Sequence, residues 1–131
     1  MVKEGLTPGL RGEVKLLVTE EDTAQHLGSG NVAVLATPRM ITLMEMAGVA
    51  AVDRLLPPGQ ATVGGEVHVR HLAPTPLGME VVVRSELIEV EGRRLTFRVE
   101  AFDEREKVGE GSNIRFIVDL AKFREKVEGK R

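Results

Sequence analysis

The chain has 131 residues, a formal net charge of -2 and no cysteine. A single domain spanning residues 1–131 of this length buries roughly 65–70% of its unfolded surface and needs no disulfide or metal staple. The composition excludes a thiol nucleophile, a disulfide scaffold and a zinc finger, and the mixed-sign surface offers no basic patch for nucleic acid.

The start, Met1-Val2-Lys3-Glu4-Gly5, leads into no apolar run of signal-peptide length. Leu10–Val18 alternates apolar and polar residues in part, which predicts a first strand. Thr19–Val32 is polar, carries Gly28-Ser29-Gly30 and reads as a long loop with room for one helical turn. Thr37-Pro38 opens a helix, with Thr37 as N-cap and Pro38 at the first helical position, where a missing N–H costs nothing. The helix is expected to run to about Leu56, where Pro57-Pro58-Gly59 stops it. It is apolar nearly all round, which predicts burial on most sides. Interrupted by Glu45, its apolar stretch from Met40 to Val52 is too short to cross a bilayer. A soluble, cytoplasmic protein is the expectation.

Four strands follow by pattern, near 61–72, 79–90, 93–102 and 107–118, with tight turns at Val90–Arg93 and Asp103–Glu106. A charged helix near 120–127 closes the chain. One strand, one long apolar helix and four consecutive strands predict an α+β fold. A curved antiparallel sheet wraps around the helix, which is the hot-dog architecture. A single sheet around one helix leaves an edge, so a homodimer, or a higher homo-oligomer, is expected.

Three residues could carry chemistry. Glu45 is the only charged side chain between Arg39 and Asp53. A carboxylate in so apolar a helix needs a partner, either at a reactive site or in a structural pairing with backbone N–H groups or an Arg from another strand. His71 shares a strand face with Val67 and Val69, the face expected to meet the helix, and suits general-base work or a satisfied core position. His68 points the other way, so the two histidines form no metal site. Thr37 serves as an N-cap, yet it also stands where free N–H groups and the helix dipole would stabilise an oxyanion. The backbone from Thr37 through Pro38 to Arg39 is the candidate binding surface for such an oxyanion. His26 and the Lys122, Arg124, Lys126 and Lys130-Arg131 cations read as solvated.

These residues carry a family likeness. Ala36-Thr37, Met40–Ala47 with Leu43-Met44-Glu45, Val69-x-His71-x-Ala73-x-Thr75-Pro76, and Val90–Leu95 together resemble the fluoroacetyl-CoA thioesterase family of hot-dog proteins. The resemblance runs from about Gly5 to Val127. It implies Thr37, Glu45 and His71 as the catalytic set, Gly64 as a residue lining the site, and a homodimer with the site near the subunit interface. It also implies acyl-CoA as the substrate, with CoA as its thiol carrier and neither cofactor nor metal. Fluoroacetate-specific members place an aromatic gate ahead of the threonine. Ser29-Gly30-Asn31-Val32-Ala33-Val34 has none, which points to a different acyl group. Two other readings share the fold: a hydratase or dehydratase of acyl thioesters, and a non-catalytic acyl-CoA-binding module.

Overall fold

The computed structural model describes residues 5–131. The opening Met1–Glu4, read above for a signal segment, lies outside the described residues. In chain order the elements are β1 (Arg11–Leu17), a 3-10 turn (Glu20–Asp22), α1 (Ala24–Leu27), α2 (Thr37–Val52) and a second 3-10 turn (Asp53–Leu55). Then come β2 (Gln60–His71), β3 (Glu80–Glu91), β4 (Arg94–Phe102), β5 (Lys107–Asp119) and α3 (Leu120–Glu128). All five strands form one antiparallel sheet in the order β1-β3-β4-β5-β2, which leaves β2 as an edge.

The two faces of the sheet divide by the two-residue strand period. Leu95, Phe97, Val99 and Ala101 of β4 are buried with Val81, Val83 and Leu87 of β3, in one core with Leu43, Met44, Ala47 and Ala51 of α2. The opposite face carries cross-strand ion pairs, among them Arg84–Glu13 at 2.9 Å, Arg98–Glu86 at 3.0 Å and Lys107–Glu100 at 2.9 Å. Apolar on one side and charged on the other, the sheet curls over the helix with its charged face outward.

The structure corrects the expectation for α2 in two respects. The helix is not buried on most sides: Met46, Val49 and Ala50 are exposed, because the curled sheet wraps only the flank bearing Met40, Leu43, Met44 and Ala47. It also ends at Val52 rather than near Leu56. Just beyond it, the Asp53 carboxylate accepts hydrogen bonds from Thr62 N at 3.1 Å and Thr62 Oγ1 at 2.6 Å. Those bonds draw the end of the helix onto β2 before the prolines are reached.

β1 crosses α2 at Gly12. A Cβ there would lie 2.0 Å from the Ala47 carbonyl oxygen and 2.7 Å from Ala51 N, both rigid helix backbone. Gly12→Ala should therefore push strand and helix apart and destabilise the fold by about 1–3 kcal/mol or more. A urea melt of the variant checks this, and an unchanged midpoint would refute the close crossing.

Candidate active site

Thr37 does not cap α2. It is the first helical residue, while Ala36 holds the N-cap position without a side-chain bond. The start of the helix is secured instead by Asp22, a residue that sequence reasoning passed over. Ala36 N–H donates to the Asp22 carbonyl at 2.9 Å, and Arg39 Nε donates to its carboxylate at 2.8 Å. Thr19 N–H and hydroxyl donate to the same carboxylate at 2.8 and 3.0 Å. Burial works against the Asp22 charge, but the Thr19 N–H and the Arg39 guanidinium outweigh it and hold the carboxyl below the usual carboxylate range. The start of the segment Thr19–Val32, expected to be a long loop with room for one helical turn, is thus tied to the first turn of α2.

Freed from capping, the Thr37 hydroxyl reaches His71, with Oγ1 2.7 Å from Nδ1. His71 closes β2 on the face turned to α2, as its spacing from Val67 and Val69 predicted. It pairs with Gly109, where a Cβ would be 2.5 Å from Met40 Sδ, so the missing side chain lets the first turns of α2 come down beside the histidine. Burial pushes the His71 imidazole below its ordinary pKa, with the Ala73 backbone pulling the other way, and its Nε2 is buried with no hydrogen-bond partner among the described residues. His68 pairs with Ser112, one position off His71's face, and sits 3.3 Å from Glu66.

Beside Thr37 and His71 opens a cleft of about 360 Å³ walled by Ala24, Val34, Leu35, Leu72, Ala73 and Pro74. The first turn of α2 borders it. The first intrahelical bond runs from Met40 N–H to Ala36 O, and Pro38 has no N–H, so Thr37 and Arg39 supply the free backbone donors. The Arg39 Nε is engaged by the Asp22 carboxylate.

Glu45 lies elsewhere. It stands eight residues after Thr37, roughly 12 Å further along the helix. Its Oε2 accepts from Arg115 Nη1 at 3.2 Å. Gly64 of β2 packs against it, and a Cβ on Gly64 would fall 2.3 Å from the same oxygen. Gly65 is the extra residue of a β-bulge between Gly64 and Glu66, and the Glu66 carbonyl accepts from Asn113 Nδ2 at 3.0 Å. An Arg from another strand was one of the two structural pairings open to Glu45, and Arg115 fills it. A lone arginine inside the apolar run Ile114-Arg115-Phe116-Ile117-Val118 was the available sequence signal.

One chain therefore holds two separate polar clusters. Thr37 and His71 form one, at the start of α2 and the end of β2. Glu45, Gly64 and Arg115 form the other, midway along both elements.

A curled antiparallel sheet around a central helix, with a threonine–histidine pair where the helix begins, places the protein among the hot-dog thioesterases. Residues 18–121 match the family described as fluoroacetyl-CoA-specific thioesterase. The fluoroacetyl-CoA thioesterase of Streptantibioticus cattleyicolor is 39% identical over 98% of this chain and 97% of that protein. A fluoroacetyl-CoA thioesterase variant solved with acetyl-CoA superposes with a TM-score of 0.90 at 37% identity, covering 95% of this chain and 98% of that one. A Thermus thermophilus member of the thioesterase superfamily superposes with a TM-score of 0.88 at 31% identity, covering 95% and 93% of the two chains. The chain belongs to the fluoroacetyl-CoA-specific thioesterase family.

Proposed function

We propose that this protein is a thioester hydrolase that cleaves a small acyl-CoA to the free acid and CoA, using Thr37, His71 and Glu45. The 2.7 Å contact between Thr37 Oγ1 and His71 Nδ1 carries the reading, because it joins a hydroxyl to a base held neutral by burial. The thioester carbonyl rests on the Thr37 and Arg39 N–H groups, where the helix dipole favours the charge that develops on its oxygen. His71 takes a proton from the attacking oxygen, which belongs to Thr37 or to a water held there. The tetrahedral centre collapses, the C–S bond breaks and the CoA sulfur leaves with the proton that His71 took; where Thr37 is the attacking group, a water activated by His71 then cleaves the acyl-threonine ester and releases the acid. Glu45 either orients His71 and stabilises the charge it gains, or itself attacks or activates water, and CoA enters only as part of the substrate. Family membership and the solved acetyl-CoA complex of a relative support the substrate class.

The working unit in this reading is a homodimer. The edge strand β2 spans twelve residues, long enough to pair with its own copy across a two-fold axis. An antiparallel pairing centred between Val67 and His68 sets His71 of one protomer opposite Gly64 of its partner, and so joins the two clusters. Mixing the inactive variants His71→Ala and Glu45→Gln, with subunit exchange, should then restore turnover, since each hybrid dimer regains one intact site. No recovery in verified hybrids would reject the shared site.

The acyl group is small and other than fluoroacetyl, because Ser29–Val34 supplies no aromatic gate and the cleft wall around Ser29, Thr37 and His71 is aliphatic. A cytoplasmic location fits a CoA-ester substrate and a chain without cysteine; among the described residues no helix is long and apolar enough to cross a membrane. Thiol release measured across short, branched, aromatic and long acyl-CoAs tests the proposal. Turnover on one short or branched class, abolished in His71→Ala, is the expected result. Silence across the panel, with CoA still raising the melting temperature, would show a binding module instead.

A further inference from the structure

We propose that Arg115, Thr62 and Asp53 form a positioning relay that fixes the Glu45 carboxylate for the reaction; this rests on the thioesterase reading above. The relay starts at the far end of the helix that carries Glu45. Asp53, just past α2, accepts from Thr62 Oγ1 at 2.6 Å and from Thr62 N at 3.1 Å. Arg115 Nε donates to the same Thr62 hydroxyl at 3.0 Å, and its Nη2 donates to the Thr62 carbonyl at 3.0 Å. The remaining arm, Nη1, reaches Glu45 Oε2 at 3.2 Å.

The polarity of this chain is forced. Arginine only donates, so Thr62 Oγ1 must accept from it and send its own hydrogen to Asp53, which as a carboxylate only accepts. Each bond leaves the next group one arrangement. Two of the three guanidinium nitrogens are spoken for by Thr62, so the third points where β2 and β5 place it.

The burial pattern separates positioning from mere stability. The Arg115 side chain is 6% exposed, whereas that of Glu45 is 37% exposed. Such a pair adds little cohesion, because enclosing the guanidinium costs desolvation and water screens the half-exposed carboxylate. Here the cation is enclosed and locked, while the carboxylate is held at an open surface. Gly64 adds a second constraint, since its lack of a Cβ leaves the space that Oε2 occupies. A displacement near 1 Å at a reacting group costs roughly 100-fold in rate, so a rigid mount for Glu45 has kinetic consequences.

The test compares Arg115→Lys, Thr62→Val, Thr62→Ser and Asp53→Asn, each in the wild-type and the Glu45→Gln background, on the best acyl-CoA, with melting temperatures recorded alongside. Thr62→Val keeps the shape and removes the hydroxyl, and it should lower kcat about 10–100-fold with KM unchanged. Arg115→Lys should do the same, while Thr62→Ser keeps the hydroxyl and stays near the wild-type rate. In the Glu45→Gln background all four should add no further loss, because the relay acts only through that carboxylate. Losses that add in full in that background would overturn the relay and mark these residues as structural. So would unchanged kcat in Thr62→Val and Arg115→Lys while Glu45→Gln is impaired. Full turnover in Glu45→Gln itself would overturn both the relay and the assignment of Glu45. If Thr62→Val fails to fold, Arg115→Lys and Asp53→Asn decide the matter from either side of Thr62.

Discussion

Exchange of His71 for alanine should lower kcat by roughly 10²–10⁴-fold, the usual cost of losing an acid–base group. Thr37 Oγ1 would then have no base at 2.7 Å, and the only other histidines, His26 and His68, are exposed and lie off the cleft. The pH dependence follows from the direction in which burial moves His71. A base must be unprotonated to act. Since the native imidazole titrates below the ordinary value of about 6.5, kcat/KM should be flat through neutral pH and fall only on the acid side. Stability shares this sign. Below about pH 6.5 the unfolded chain protonates His71 while the native ring still resists, so the unfolded state binds more protons and stability rises with pH. The contribution is complete above that pH and is lost as pH falls toward the lower native value. A pH–rate profile with urea titrations at acid and neutral pH measures both. A rate limb centred above pH 7, or intact turnover in the variant, would remove His71 from the mechanism.

Glu45→Gln should cost a comparable factor, roughly 10²–10⁴-fold in kcat. The substitution keeps the volume and one acceptor oxygen while removing the charge that faces Arg115. Gly64→Ala reaches the same group by steric means. The new methyl would meet Oε2 at 2.3 Å, and that atom is the tip of a flexible side chain, so the fold can adapt by turning the carboxylate aside. The expected outcome is a rate loss of about 100-fold with a melting temperature close to that of the parent. Steady-state kinetics and calorimetry on both variants check it. If Gly64→Ala unfolds at a much lower temperature, the glycine serves the bulge; if it keeps full activity, the carboxylate does not need its present place.

Much of the architecture was legible in the residues. Alternation in Leu95-Thr96-Phe97-Arg98-Val99-Glu100-Ala101 set a strand with one apolar face, and the apolar run from Met40 to Val52 set the helix that this face covers. The period-two spacing of Val67, Val69 and His71 put the histidine on the helix side, because strand geometry fixes alternation locally. Glu45 stood out as one charge in an apolar run, and so did its need for a partner.

The tertiary structure decided what depends on groups far apart in sequence. Arg115 meets Glu45 across 70 positions, and Thr37 meets His71 across 34; local periodicity carries no trace of either meeting. Thr37 looked like a cap because helix propensity is a short-range rule, yet Asp22 secures the start of the helix from outside it and leaves the hydroxyl for His71. The helix ended early for the same kind of reason, a bond from Asp53 to a strand that the prolines could not announce. Sequence determined which residues could be reactive, through local pattern and the cost of burying charge. The fold alone determined who their partners are, because hydrogen bonds between strands and helices are set by register and crossing, which no single segment encodes.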